Sequence, residues 1–168
     1  MAGNTAEASR FQFIRCGSDD VGDNPGGYIE EFAAGAALNV GDAVYVSAAQ
    51  TVNKSAVAAT VLGKIAGIVV GGTKTYMKAV DRKLDVGIQA AATSERVLVL
   101  KVGKYWVVSD AAITAGDIIT PGTTTAGRVK TGTVTTDLAA GDTGRLLGNA
   151  LEAAAGAAVV ILASIYLH

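Results

Sequence analysis

Residues able to do chemistry are few in this chain and poorly spaced for it. The only histidine is His168, the last residue of the sequence, and the only cysteine is Cys16. A Ser-His-Asp or Cys-His arrangement needs a histidine held firmly against its nucleophile. A terminal His168 predicts no such base, and Cys16 reads as a small inert thiol. One histidine and one cysteine also leave no material for a multi-histidine metal site, a cysteine zinc site or an internal disulfide. Carboxylates fall in pairs at Asp19-Asp20, Glu30-Glu31 and Asp81/Asp85. Such pairs are what a glycosidase or a calcium site would use. The best calcium candidate, Asp19-Asp20-Val21-Gly22-Asp23-Asn24, lacks the register and remote glutamate of an EF-hand loop, and it reads as a solvated turn. Glu30-Glu31 reads as a solvated face or as a partner for a lysine or arginine of another subunit. Gly63-Lys64 and Gly103-Lys104 lack the spacing and the following Ser/Thr of a phosphate-binding loop. The expectation is therefore no enzyme, no cofactor and no metal.

The electrostatics point away from nucleic acid. The net charge is −1 and the pI about 5.8. The most basic stretch, Lys78, Arg82 and Lys83, is interrupted by Asp81 and Asp85. No basic stripe of the kind nucleic-acid binding requires is present. The longest apolar run, Ala153 to Leu167, falls short of the ~20 residues of a membrane helix, and its Val159-Val160-Ile161 core favours a strand. The first ten residues are small and polar and carry no apolar core of a signal peptide. Neither a nucleic-acid partner nor a membrane is expected.

What remains is a chain built to form strands. Half of its 168 residues are hydrophobic but only 5% are aromatic, with 21 glycines and 2 prolines. Short Val/Ile/Thr-rich runs alternate with Gly-Asp, Gly-Thr and Gly-Lys turn signals. Charged residues make up 17%, below the usual quarter of ~25%, as suits a surface packed against neighbours. The fold class expected is all-β, a β-barrel or β-sandwich of many short strands over residues 28–168, with an N-terminal arm over residues 1–27.

The arm holds one alternating stretch, Phe11-Gln12-Phe13-Ile14-Arg15, followed by a run dense in breakers up to Gly27. Phe11, Phe13 and Ile14 are costly to leave in water, so the arm either adds a strand to its own barrel or lies against a partner. In the main domain, strands are expected at 43–46, 51–54, 61–70 and 158–167, and a hairpin of Arg96–Val102 and Tyr105–Val108 turning at Gly103-Lys104. Trp106, the only tryptophan, is expected as a core or interface anchor. The Ala-rich stretches at 33–37, 56–60 and 90–92 could hold short helices.

One pattern occurs twice. Ala115-Gly116-Asp117-Ile118-Ile119-Thr120 repeats Val40-Gly41-Asp42-Ala43-Val44-Tyr45. Gly127-Arg128-Val129-Lys130 stands where Thr51-Val52-Asn53-Lys54 stood. Thr143-Gly144-Arg145-Leu146-Leu147-Gly148-Asn149-Ala150 repeats Leu62-Gly63-Lys64-Ile65-Ala66-Gly67-Ile68-Val69. Glycines and charges align together, which predicts two related halves with equivalent turns at Gly41-Asp42 and Gly116-Asp117.

The second copy, Ala111-Ala112-Ile113-Thr114-Ala115-Gly116-Asp117-Ile118-Ile119, with Gly127-Arg128-Val129-Lys130 and the stretch Gly148 to Leu162, resembles the capsid decoration (cement) proteins of tailed bacteriophages. The resemblance spans about residues 34–167 and is strongest over 105–163; the first 27 residues lie outside it. It implies a β-barrel or β-sandwich, a homotrimer, the major capsid protein as partner, a place on the capsid surface of the virion after synthesis in the host cytoplasm, and no enzyme activity. Phe11, Phe13, Ile14 and Trp106 are then the candidate capsid or subunit contacts. Another virion β-protein, such as a head-fibre or tail component, or a ligand- or sugar-binding β module remains as the alternative.

Overall fold

The computed structural model describes residues 27–55, 65–76, 78–79, 83–132 and 146–167. The protein is all-β. Its strands are β1 (Tyr28–Ala34), β2 (Leu38–Asn39), β3 (Ala43–Ala48), β4 (Thr51–Lys54), β5 (Ile65–Gly72), β6 (Lys78–Ala79), β7 (Gln89–Ala91), β8 (Arg96–Val108), β9 (Ile118–Pro121), β10 (Val129–Thr131), β11 (Gly148–Ala150) and β12 (Val160–Tyr166). Among the described residues the only helical pieces are 3₁₀ turns at Thr73–Thr75 and Lys83–Asp85. Ala33 and Ala34 end β1, and Ala90 and Ala91 lie in β7. Cross-strand packing overrides alanine's helix preference at both places; the stretch 56–60 lies outside the described residues.

The main sheet runs β10-β9-β11-β12-β8-β1-β4-β3-β5-β6, and an additional β5–β8 pairing closes β8, β1, β4, β3 and β5 into a barrel. Every ladder in that barrel is antiparallel except β1–β4. The hydrophobic pattern explains the faces. In β12, Ile161, Ala163 and Ile165 are buried while the residues between them are half-buried, the period of a strand with one face inward. β5 is buried from Ala66 to Gly72 because it is paired on both edges and packed against β7 as well. One continuous hydrophobic cluster, from Ile29 to Ile165, fills the molecule.

β8 differs from the expected hairpin. Gly103 and Lys104 do not turn; they pair with Ile165 and Ser164, and the strand runs on unbroken to Val108. The first half of β8 is claimed by β1 and β5 and the second by β12, so the two halves never face each other. A two-residue turn would have forfeited the β12 ladder, whose hydrogen bonds and buried side chains decide the outcome.

The predicted repeat is a real structural repeat, and it extends beyond the segments that revealed it. β3 lies between β4 and β5 as β9 lies between β10 and β11. β5 then pairs with the first half of β8 as β11 pairs with β12. The parallel contact Ala34↔Val52 has its counterpart in the parallel bridge Ser109↔Val129. The second half of β8 therefore plays in the second unit the part that β1 plays in the first. Residues 28–102 form the closed barrel, residues 103–167 repeat its strand arrangement with β10 joined to β8 by the bridge Ser109↔Val129, and β8 passes from one unit into the other with no loop between them.

Candidate functional site: the turns and the seam of the two units

The Gly-Asp turns that carry the repeat are built alike, bond for bond. The Asp42 carboxylate accepts the Asn39 N–H at 2.7 Å, and the Asp117 carboxylate accepts the Thr114 N–H at 3.0 Å. The Asp42 N–H returns to the Asn39 carbonyl and the Asp117 N–H to the Thr114 carbonyl, each at 3.1 Å. Gly41 donates to Val69 O and Gly116 to Ala150 O, both at 2.8 Å. A positive φ at Gly41 (89°) and Gly116 (93°) is what lets a tight turn with this i to i+3 bond form. Each aspartate also holds the strand beside it: Lys54 Nζ lies 3.1 Å from Asp42 Oδ2, and Thr131 Oγ1 donates to Asp117 Oδ2 at 2.8 Å.

The equivalence corrects one alignment. In sequence, Gly127-Arg128-Val129-Lys130 was set against Thr51-Val52-Asn53-Lys54, which matches Arg128 with Val52. The ladders place Val46 opposite Val52 and Pro121 opposite Val129, so Val129 is the counterpart of Val52, one residue along. Both valines are fully buried. A one-residue slip would turn the buried set outward, so burial fixes the register.

Asp42 sits where the units meet. Gly127, in the connection before β10, accepts the Ala43 N–H at 2.7 Å and donates to Ser55 O at 3.1 Å. Burial there pushes the Asp42 carboxyl above its ordinary range, opposed by the Asn39 N–H and Lys54. A carboxyl raised in the folded state favours folding most below its unfolded value, and that contribution is lost as pH rises through the folded value. Thermal melts of the parent and of Asp42→Asn at pH 4 and pH 7 check this. The parent's melting temperature should gain on the variant's at pH 4; a relative loss would show that the ion pair with Lys54 outweighs desolvation. Glu95 works in the opposite sense: the Ala92 N–H and Lys74 hold its carboxyl below the usual range.

Trp106, a predicted contact residue, lies in the second half of β8, half-buried and packed against the core. Lys83 Nζ stands 5.0 Å from the centre of its ring and 3.4 Å from Glu152 Oε2. Lys83 belongs to the connection leading out of the first unit and Glu152 to the second unit, so this cluster ties the seam. Leu84 and Leu151, next to the two charged residues, are 89% and 42% exposed. Trp106 is thus partly core and partly covered by a cation. Phe11, Phe13 and Ile14, the other predicted contacts, lie outside the described residues, as do Cys16, His168 and Asp19-Asp20. Glu30 and Glu31 are paired within the chain, with Lys101 and Arg96 of β8.

Sequence reasoning missed the connection between β5 and β8. Residues 73–95 carry Tyr76, Leu84 and Ile88, all exposed, and the corresponding connection of the second unit is far shorter. Tyr76 is 88% exposed with φ of 55°, a costly conformation for an aromatic residue. The repeated motifs carry no signal of it, because the connection lies beyond the last motif of the first copy.

Among the described residues, no group of three or more His, Cys, Asp or Glu could hold a metal ion, and no helix is long and apolar enough to cross a membrane. No protein-family model matches the chain, and no curated protein sequence matches it. Among solved structures, the N-terminal base of the head fibre protein gp8.5 of bacteriophage phi29 is similar to it, with a TM-score of 0.44 and 12% identity over 82% of this chain and 92% of that one.

Proposed function

We propose that this chain is a structural protein of a tailed-phage virion that binds the major capsid protein on the outside of the head and stabilises the expanded shell, as a decoration protein. The observation that supports this reading is the doubled Gly-Asp turn. The segments on which the resemblance to decoration proteins rests, Ala111 to Ile119, Gly127 to Lys130 and Gly148 to Leu162, hold the Gly-Asp turn of the second unit, parts of β9, β10 and β12, β11, and the connection from β11 to β12. A protein that binds only the expanded shell favours that state by mass action. Two like units in one chain, multiplied by a homotrimer, add weak contacts through effective concentration. The reading assigns no turnover chemistry and no cofactor.

Mixing purified protein with expanded, undecorated capsids tests it. Uptake should saturate at a fixed ratio to capsid subunits and raise the temperature at which the shell opens. Saturation at a few copies per particle would point instead to a head-fibre or tail component, and no uptake would remove the capsid from the account.

A further inference from the structure

The outer face of the sheet where β8 runs beside β12 is apolar. Tyr105 and Val107 of β8 and Ile161, Ala163 and Ile165 of β12 are buried, so the residues between them point outward. They stand in cross-strand rows, with Val102 opposite Tyr166, Trp106 opposite Leu162 and Val108 opposite Val160. Val102 is 44% exposed and the other five are half-buried.

The first unit shows how the same place is built when it faces water. The counterparts of Trp106 and Leu162 are Glu31 and Leu98, and those of Val108 and Val160 are Ala33 and Arg96. Leu98 is buried there, and Arg96 Nη1 lies 2.9 Å from Glu31 Oε1, an ion pair that spans the two rows. The inward residues are apolar in both units, Phe32 and Val97 in one and Val107 and Ile161 in the other. The core therefore does not require the outer rows to differ. A contiguous apolar patch on one copy of a repeat, where the other copy carries an ion pair, marks a contact surface.

The row inside the patch selects the partner. Lys104 stands opposite Ser164, with Val102 and Trp106 on either side of it along the outward face of β8. Among the described residues its ammonium has no hydrogen-bond or ion-pair partner. Lys83, the other cation at this face, is already held by Glu152 and the Trp106 ring. A two-fold contact between copies, centred here, would set Lys104 against itself. Any surface that covers the apolar rows takes Lys104 out of water, which is costly unless a carboxylate meets it.

We propose that this face docks a different protein, one that presents a carboxylate among apolar side chains. The inference rests on the proposed function for the partner's identity, the major capsid protein, and it adds the second unit's share of that contact. Trp106, Leu162 and Val160 supply the apolar centre, and Lys104 fixes the orientation by pairing with the partner's carboxylate.

Uptake isotherms of the full-length protein on expanded, undecorated capsids test it, with thermal melts and sedimentation velocity of the same variants without capsids. Lys104→Glu should raise the dissociation constant for capsids roughly tenfold or more, and Leu162→Gln should do likewise through the apolar rows. Lys104→Arg keeps the charge and should bind as the parent does. Glu31→Gln, at the counterpart of Trp106 in the first unit, should leave uptake unchanged. Lys104→Glu should melt and sediment like the parent, because no contact within the chain is lost. A parent that is taken up, with Lys104→Glu and Leu162→Gln bound equally well, overturns this inference and leaves the proposed function standing. Loss of uptake in Lys104→Arg as large as in Lys104→Glu overturns the pairing with a carboxylate. Variants that lose uptake because their oligomer dissociates show that the face joins copies of this chain, which overturns the choice of partner. A parent that no capsid takes up removes the proposed function and this partner with it.

Discussion

Gly148→Ala should destabilise the protein by about 3 kcal/mol or more, among the largest single-methyl effects available in this fold. β11 crosses β12 so closely at this point that a Cβ on Gly148 would overlap the carbonyl oxygen of Ser164, and φ is 154°. The obstacle is backbone, so it cannot rotate away as a flexible side chain would. Gly67, the counterpart in the first unit, meets the Leu100 carbonyl in the same way, with φ of 137°. Gly67→Ala should therefore be comparably damaging. Gly156→Ala is the control: nothing lies within 4 Å of its added methyl, and its φ is not positive. Urea titrations of the three variants provide the check. Equal, small effects at all three would show that the two crossings relax freely and that the tight approach is not structural.

Leu100→Ala should cost about 2–5 kcal/mol, the range for truncating a buried leucine. Leu100 is fully buried in the first half of β8, flanked in the ladders by Ile29 and Ile68, and its methyls stand 3.3 and 3.7 Å from where a Cβ on Gly103 would be, at the point where one unit gives way to the other. The more telling result is the shape of the transition. Because β8 is continuous and one hydrophobic cluster runs through both units, calorimetry should show a single transition moved to lower temperature. Two separated transitions, with only the lower one displaced, would mean that the units unfold independently.

The β-rich class, the Gly-Asp turns and the Gly67/Gly148 correspondence were legible in the sequence because backbone conformation and steric crowding leave few residues able to stand there. The equivalence of β1 with the second half of β8 was not. Tyr28-Ile29-Glu30-Glu31-Phe32 and Gly103-Lys104-Tyr105-Trp106-Val107 share no chemistry beyond the buried position at Phe32 and Val107; only the ladders relate them. The false hairpin at Gly103-Lys104 has the same origin. A glycine-lysine pair between two apolar runs is a turn by local rules, and the partner strand that overrides them, β12, lies some fifty residues downstream. The candidate contact residues were legible only in part. Trp106 is conspicuous by type, whereas Leu84 and Tyr76 are exposed by a connection whose course no local pattern shows.

The absence of any loop between the two units gives the molecule a fixed gauge. A flexible linker would let its binding surfaces wander and would tolerate partners at many separations. A strand that ends one unit and begins the next, pinned on one side by Tyr28 and on the other by Tyr166 at Val102, permits no such latitude. The two Gly-Asp turns are carried at a set distance and rotation. If the chain acts as proposed, a lattice that matches this spacing engages both units of a chain at once, and one that does not engages a single unit and loses the gain of the second. On the proposed function, the chain would in this way discriminate between lattices whose subunits are chemically identical and differ only in how far apart they stand.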